Sequence, residues 1–458
     1  MTPSTSTWHR STTCAVSLAC WLLFTTHAIA QQETTDPTGR APPGGSSIPD
    51  GALSRLVAEA LERNPEIKAA AHEREAAGKR VSPAGAFDDP MLEAGIVNIP
   101  FPATSFRRED MTMKMLGLSQ RLPYPGKRGL REELAGKEAE IIGFGYHETT
   151  NRVVREVRTT YVDLRLVLET TRIVERNRSV VEQFLKTAEA RYAVGQATQS
   201  DVLKAQTQLS KMVEELIRLD RERPSMQAEL ERAIARTIRE DEIDAAPLPA
   251  REVSLDLAAL RERAEQSRPQ ILGLRGTIAR AEKAIALARA DYYPDFDVKF
   301  AYGQRDSMPD GARRDDMVSL TVAINLPIWR ERKRDSRVAE ALAMRDQATE
   351  MLRAQLNEIA AKLRQQVALV EQTVKSVRLY ETGILPQARL AVEAALTAYR
   401  ANRVDFLTLL DSQMAVFNYE ISRAQATASF HKALAEIDLL TGEPSRQALE
   451  ARTEKWRQ

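Results

Sequence analysis

The segment Met317-Val-Ser-Leu-Thr-Val-Ala-Ile-Asn-Leu-Pro327 decides the fold, together with an earlier copy, Met111-Thr-Met-Lys-Met-Leu-Gly-Leu-Ser-Gln-Arg-Leu-Pro123. Each segment closes a short alternating run with Leu-Pro and is followed by a long helical pattern. Three pairs of prolines share a spacing of 204 residues: Pro123 and Pro327, Pro65 and Pro269, and Pro90 and Pro294. The chain is therefore an internal duplication, each copy about 200 residues long.

The composition and the N-terminal residues indicate an exported protein. Lys and Arg number 65 and Asp and Glu number 64, so no net field attracts nucleic acid. Residues 1–30 are predicted to be a signal peptide, with a basic start at Arg10, an apolar core of limited length and the A-x-A cleavage site Ala28–Ala30. Both cysteines lie in this segment, and the residues before Cys20 are a poor lipidation signal. The mature chain is therefore predicted to lack disulfides.

The duplication divides the rest of the chain into five segments. They are a flexible polar stretch (31–50), repeat 1 (51–240), a proline-containing linker (241–253), repeat 2 (254–442) and a polar tail (443–458). Each repeat is predicted to contain a helix, two strands and a long helical hairpin. The strands are expected at about 89–100 and 111–122 in repeat 1, and at about 295–303 and 317–326 in repeat 2.

The third predicted strand shows the alternation most clearly. Phe296, Val298 and Phe300 fall on one face, while Asp297 and Lys299 fall on the other. Alternation over about ten residues with a strongly apolar face is typical of a membrane β-strand. A half-buried strand of a soluble protein has the same pattern, so this signal alone leaves both interpretations open.

The hairpins are predicted to be unusually long. Residues 126–192 have a helical pattern without proline, which at ~1.5 Å per residue gives a helix of roughly 100 Å. In repeat 2, apolar residues recur at steps of three and four between Leu352 and Val377, which is typical of a coiled-coil seam.

Particular residues mark where the helices turn or break. Gly195 and Asn402 occupy corresponding positions in the two repeats, and both residue types tolerate the left-handed conformation of a helix end. The first helix of each hairpin is therefore expected to end there. Pro224 and Pro386 interrupt helical patterns and are expected to kink or break them.

Four strands per chain cannot form a closed barrel, and lipid does not tolerate an open sheet edge. Bacterial outer-membrane barrels have even strand numbers from 8 upward. Two chains would supply 8 strands, whose interior is filled by side chains, whereas three chains would supply 12 and leave a conduit. The predicted fold is therefore mainly α with membrane β, in which long coiled-coil helices accompany four strands per chain that join a 12-stranded trimeric barrel.

Several motifs together resemble the outer-membrane efflux protein (TolC-like) family over about residues 51–442. They are Asn64-Pro65, Asp89-Pro-Met-Leu92, Gln120-Arg-Leu-Pro-Tyr-Pro-Gly-Lys-Arg128, Ala190-Arg-Tyr-Ala-Val-Gly195 and Ser200-Asp-Val-Leu-Lys-Ala-Gln206, with their counterparts in repeat 2. Asp88-Asp-Pro-Met-Leu-Glu-Ala-Gly95 and the Pro-Tyr-Pro-Gly-Lys-Arg sequence look most like the heavy-metal branch, the CusC- and CzcC-like ducts.

The resemblance implies a homotrimer in the outer membrane of a Gram-negative cell, with a large periplasmic part in which the long coiled-coil helices form an α-barrel. It also implies a periplasmic adaptor and an inner-membrane RND pump as partners, and passive conduction of heavy-metal cations. The same duct serving organic toxins or drugs remains an alternative. A periplasmic adaptor or a coiled-coil structural protein is a rival in another class, although neither explains two equal copies with four apolar-faced strands.

The resemblance also implies two sets of functional residues. The hairpin tips that meet the adaptor correspond to Tyr192, Val194, Gly195, Gln196, Tyr399, Asn402 and Arg403. A plain helix-capping turn would have the same residues. Asp411, with Asp405, corresponds to an acidic ring at the periplasmic aperture, although Thr408 stands where some relatives have a second acid. Solvated helix charges are the alternative for both aspartates.

Three methionines, Met111, Met113 and Met115, are spaced two residues apart. The 204-residue spacing aligns Met115 and Gly117 with Ser319 and Thr321, which lie on the polar face of the fourth predicted strand. The three methionines are therefore expected to point into the lumen. Thioethers suit soft Cu(I) or Ag(I), while adaptable packing in the barrel wall is the alternative.

Nothing in the sequence indicates catalysis. His72, His147 and His431 are scattered along helical segments, and no glycine-rich phosphate loop precedes a helix. We therefore predict no enzyme activity, no cofactor, no metal centre and no nucleic-acid partner. Trp329-Arg-Glu-Arg-Lys-Arg334 combines an aromatic residue with cations, which is typical of an anchor at lipid headgroups.

Overall fold

The structure, a computed structural model, describes residues 51–102, 104–239, 242–243, 248–326 and 328–443. The predicted signal peptide, the segment 31–50, part of the linker, Pro327 and the tail after Glu443 lie outside the described residues.

The same order of elements recurs in both repeats. Repeat 1 contains α1 (Gly51–Arg63), α2 (Pro65–Gly85), β1 (Met91–Val97), β2 (Met113–Leu122), α3 (Lys127–Ala193) and α4 (Gln199–Ile234). Repeat 2 contains α5 (Leu257–Ser267), α6 (Pro269–Ala290), β3 (Phe296–Gln304), β4 (Met317–Ile324), α7 (Ser336–Leu379), α8 (Leu385–Arg400) and α9 (Phe406–Thr441). Two short π-helical stretches, Arg330–Asp335 and Tyr380–Ile384, precede α7 and α8. The predicted mainly helical class with four strands is confirmed.

Asn64 explains why the first helical pattern divides in two. Its side-chain oxygen accepts hydrogen bonds from the backbone N–H groups of Glu66 (2.8 Å) and Ile67 (3.2 Å). Its side-chain nitrogen donates to the carbonyl of Ala233 at 2.7 Å, which fixes the start of α2 against α4. Pro65 then occupies the first turn, where a missing N–H costs nothing.

The two interior prolines have different effects on their helices. Pro224 does not end α4, which continues to Ile234; buried Leu219 and Leu230 pack on either side of it, so tertiary packing outweighs the lost hydrogen bond. Pro386 lies in the first turn of α8, immediately after the π-helical stretch. The helical path is therefore adjusted at Pro386 by a wider turn and does not break.

The four strands form one antiparallel sheet in the order β1-β2-β3-β4, and the β2–β3 pair joins the repeats. Leu118 pairs with Leu92 on one side and with Phe300 on the other, and Phe300 pairs with Leu320. These residues lie on one face because paired residues point to the same side of a sheet. All four are at least half exposed in the single chain, so the sheet presents an apolar face that none of the described residues covers.

The helical part contains three apolar clusters along its length. One packs α1 against α3 and α4 around Tyr161, and its counterpart packs α5 against α7 and α9 around Phe430. The third joins both hairpins near their free ends around Phe406. Among the described residues, no helix is both long and apolar enough to cross a membrane.

A buried polar network also joins α3 to α9. Asn177 donates to Glu420 at 3.1 Å and accepts a hydrogen bond from Gln413 at 2.7 Å. Arg389 of α8 donates to the other oxygen of Glu420 at 2.9 Å. Because unpaired groups here would be costly, the network fixes the register between the hairpins.

Candidate functional site

The first hairpin turns at Gly195. Helix α3 ends at Ala193, and Gly195 adopts φ 72°, a left-handed conformation that glycine accepts without a Cβ penalty. Thr198 then caps α4: its hydroxyl accepts a hydrogen bond from Asp201 N, and the Asp201 carboxylate accepts one from Thr198 N. This capping box makes the turn short and well defined.

The second hairpin turns in the same way at Asn402, which has φ 55°. Asp405 caps α9, since its carboxylate accepts hydrogen bonds from the backbone N–H (3.0 Å) and the hydroxyl of Thr408. These hydrogen bonds hold the pKa of Asp405 below its usual value. Asp405 therefore has a structural role at the start of α9.

The two hairpin ends pack against each other through Arg191 and Tyr399. Arg191 donates to the Tyr399 carbonyl, and its guanidinium lies 4.6 Å from the centre of the Tyr399 ring. Tyr399 also meets Phe406 edge to face at 5.5 Å. Arg191 was not among the candidate residues, although it lies in the quoted motif one residue before Tyr192.

Corresponding tyrosines of the two repeats have opposite environments. Tyr399 is 4% exposed, whereas Tyr192 is 49% exposed in the single chain. Val194 is 67% exposed, and Gln196, Asn402 and Arg403 are also exposed. The predicted tip residues thus separate into an exposed group and a buried Tyr399 that supports it.

The two candidate aperture aspartates line different cavities. Asp405 lies in the cavity between the hairpin ends, with Arg191 and Asp201. Asp411 is exposed on α9 and lines a groove between α4 and α9 that also contains Lys204 and Lys211. The single chain therefore does not bring the two carboxylates into one site.

The face of the sheet opposite the apolar face contains Met113 and Met115. We name it the inner face, and that it lines a lumen is a proposal. Met115 pairs with Gly303, two residues from the pair formed by Gly117 and Ala301. Met111 precedes β2 and lies in a turn. The prediction that Met111 belongs to the same strand face as Met113 and Met115 is therefore wrong. Within the part of the chain that the structure describes, no three His, Cys, Asp or Glu side chains are grouped to hold a metal ion.

A buried ion pair, missed from the sequence, fixes the sheet to the helices. Lys127 is 2% exposed, and its Nζ lies 2.8 Å from Asp295 Oδ1 and 3.0 Å from the Tyr293 carbonyl. Burial raises the pKa of Asp295, but hydrogen bonds from Lys127 and from Tyr124 N outweigh it and hold the pKa below its usual value. The rings of Tyr124 and Tyr293 stack beside the pair at 4.5 Å. We name Lys127, Asp295, Tyr124 and Tyr293 the junction.

The model of the outer membrane efflux protein family matches residues 56–236 and 260–443, which is most of both repeats. The chain belongs to the outer membrane efflux protein family. As a member of this family it is an outer-membrane protein and not an enzyme, as predicted.

Individual relatives of this family member are distant. It is 22% identical to the cobalt-zinc-cadmium resistance protein CzcC of Cupriavidus metallidurans, over 69% of this chain and 74% of CzcC. It is 21% identical to the outer membrane protein TolC of Vibrio cholerae, over 81% of this chain and 87% of TolC.

Solved structures of efflux proteins have the same fold. The outer membrane protein VceC of Vibrio cholerae superposes with a TM-score of 0.72 at 17% identity, over 86% of this chain and 97% of VceC. CusC superposes with a TM-score of 0.69 at 15% identity, over 88% of this chain and 95% of CusC. At these identities the likeness concerns the fold alone.

Proposed function

We propose that three copies of the chain form the outer-membrane exit duct of a tripartite, RND-type efflux pump, which passively conducts heavy-metal cations from the periplasm to the exterior. The observation that carries this proposal is the four-stranded sheet at one end of the helical hairpins: among the described residues, neither edge strand has an outer partner and nothing covers the apolar face. An open edge is not tolerated in lipid, so the sheet needs partner strands. Three chains supply 12 strands, enough for a conduit.

The far ends of the hairpins suit the docking of a periplasmic adaptor. Tyr192 and Val194 are exposed apolar side chains beside the polar Gln196 and Arg403. The contact of Arg191 with Tyr399 holds the two turns in a fixed relation, so the exposed group is presented on a rigid base. An inner-membrane pump would supply the energy for transport.

The choice of heavy metal over organic compounds rests on the CusC- and CzcC-like motifs and on the CzcC relative, whose name refers to cobalt, zinc and cadmium. Another relative at 24% identity is the pyoverdine export protein OpmQ of Pseudomonas putida. Export of organic molecules is therefore the second candidate.

The test is growth and cell-associated metal content of a deletion strain across copper, silver, zinc, cobalt, cadmium and nickel, with dyes and detergents as controls. Hypersensitivity and metal accumulation, reversed by the intact gene, are expected for metals alone. Sensitivity to the organic compounds alone would overturn the metal proposal and leave the duct in place. No sensitivity to any compound would contradict the export function.

Asp411→Ala is expected to weaken block of single channels by divalent cations in planar bilayers. Three exposed carboxylates around one axis would attract cations, and their removal would abolish that attraction. Asp346→Ala, which removes another exposed carboxylate on a long helix, is the control and should leave the block unchanged. Equal block in the Asp411 variant and the parent would refute a role in the aperture.

A further inference from the structure

A row of four paired residues crosses the inner face of the sheet: Gly95, Met115, Gly303 and Met317. The two methionines flank Gly303 on neighbouring strands, and neither glycine places a side chain between or beside them. Met317 lies on β4 and was not among the methionines singled out from the sequence. Because paired residues point to one side of a sheet, both thioethers stand on the inner face.

Met113 adds a third thioether to this row. A Cβ built on Gly303 would lie 2.5 Å from Met113 Sδ, so this sulfur occupies the space above Gly303. Met113 thus reaches across from β2 to the position between Met115 and Met317. Three thioethers from two non-adjacent strands meet around one glycine, and we name Met113, Met115 and Met317 the methionine triad.

The surroundings of the methionine triad differ from those of methionine used as packing. The next paired row on the same face contains Glu93, Gly117, Ala301 and Ser319. Met317 is 37% exposed, and a Cβ on Gly95 would meet nothing within 4 Å. Methionine that fills a core is enclosed by apolar side chains, whereas Met113 and Met115 are only half-buried and Met317 is exposed.

The charged groups nearby leave the thioethers as the available donors. Glu93 in the neighbouring row is paired with Lys299, whose side chain passes beside Gly117, and Arg305, two residues after Gly303, donates to the Asp315 carbonyl. Thioether sulfur is a neutral, soft donor that selects Cu(I) and Ag(I) over zinc, cobalt and other harder cations. Three neutral ligands on an accessible wall also suit a weak site that a passing cation can leave.

We propose that Met113, Met115 and Met317 form a binding site for a soft monovalent cation, Cu(I) or Ag(I), on the inner wall of the sheet. Its place in export rests on the proposed function, while cation binding by the purified protein does not. Met111, which precedes β2, is not a ligand.

The test is titration of the detergent-solubilised full chain with Ag(I) in chloride-free buffer, followed by calorimetry and by X-ray absorption at the silver edge. The parent is expected to bind Ag(I) with sulfur ligands, and Zn(II) is expected not to bind there. Loss of a residue that only supports a metal ligand typically weakens binding by roughly 10- to 100-fold. The triple variant Met113→Leu, Met115→Leu, Met317→Leu removes the ligands themselves and should weaken Ag(I) binding by at least as much. Leucine conserves volume, so trimers should persist.

Two further variants make the test specific. Met344→Leu with Met351→Leu removes two exposed methionines of α7 and should leave Ag(I) binding unchanged. Gly303→Ala keeps all thioethers but displaces Met113 Sδ, so it should weaken binding without loss of trimers. Unchanged binding in the triple variant, or equal loss in the α7 control, would overturn the proposed site. Ag(I) binding through the methionine triad without any metal phenotype in the deletion strain would keep the site and reject metal export.

Discussion

Lys127→Met is expected to lower the free energy of unfolding by ~1–3 kcal/mol, because it removes the buried ammonium group that pairs with Asp295 and leaves this carboxylate, 12% exposed, with only the longer contact to Arg121 at 3.7 Å among its ion pairs. Lys127 also loses its hydrogen bond to the Tyr293 carbonyl and its ion pair with Asp291 at 3.5 Å. These contacts connect the first turn of α3 to the segment between α6 and β3. The sheet and the helices of the two repeats should therefore separate more easily, which denaturant titration of purified trimers would measure.

The control is Lys137→Met on the same helix. Lys137 is partly exposed and pairs with Glu140 at 2.8 Å, so its loss should cost at most about 1 kcal/mol. The double variant Lys127→Met, Asp295→Asn also removes the carboxylate charge that has lost Lys127, and it should recover part of the loss. A cost for Lys127→Met no larger than that of Lys137→Met would show that the junction does not stabilise the fold.

The junction also predicts a pH dependence. The pKa of Asp295 is held below its usual value, so its stabilisation is present above the unfolded pKa of about 3.9 and is lost as the pH falls through the folded pKa. Asp295→Asn should lose this part of the acid sensitivity.

The internal repeat made the fold predictable, because two independent copies of one pattern specify each element twice. The alternation in β4 correctly predicted that Met113 and Met115 of the less regular β2 share a face with Ser319 and Thr321. Pro224 shows the limit of local rules, since a proline ends an isolated helix but not one held by buried neighbours along α3.

The candidate site was only partly predictable, because burial depends on contacts between distant residues. The spacing that equates Tyr192 with Tyr399 cannot show that one is exposed and the other lies under Arg191. Lys127 gave no sign of burial, since its partner Asp295 lies 168 residues further along the chain. Asn177, Gln413 and Glu420 are ordinary surface residue types whose pairing appears only when α3 and α9 are in contact.

Gly195→Trp is expected to abolish resistance while trimers still reach the outer membrane. Gly195 has φ 72°, and a Cβ there would meet nothing within 4 Å. A side chain at this position therefore adds backbone strain of roughly 1–2 kcal/mol but no clash within the chain. The indole would instead project from the hairpin end beside Tyr192 and Val194, where we propose that the adaptor docks.

Two controls separate strain from steric block at the tip. Gly311→Trp introduces the same residue at another left-handed glycine, which has φ 83° and nothing within 4 Å of a built Cβ. Gly311 lies in the loop between β3 and β4, at the end of the strands that is far from the helices. It should retain resistance. Gly195→Ala carries the strain without the bulk and should retain most of it. The measurements are growth on the exported compound, trimer abundance in outer-membrane fractions, and cross-linking to the adaptor. Full resistance in Gly195→Trp, or an equal loss of resistance in Gly311→Trp, would refute docking at Gly195. Loss of resistance in Gly195→Ala as well would assign the effect to the backbone of the turn, because alanine is too small to obstruct a partner.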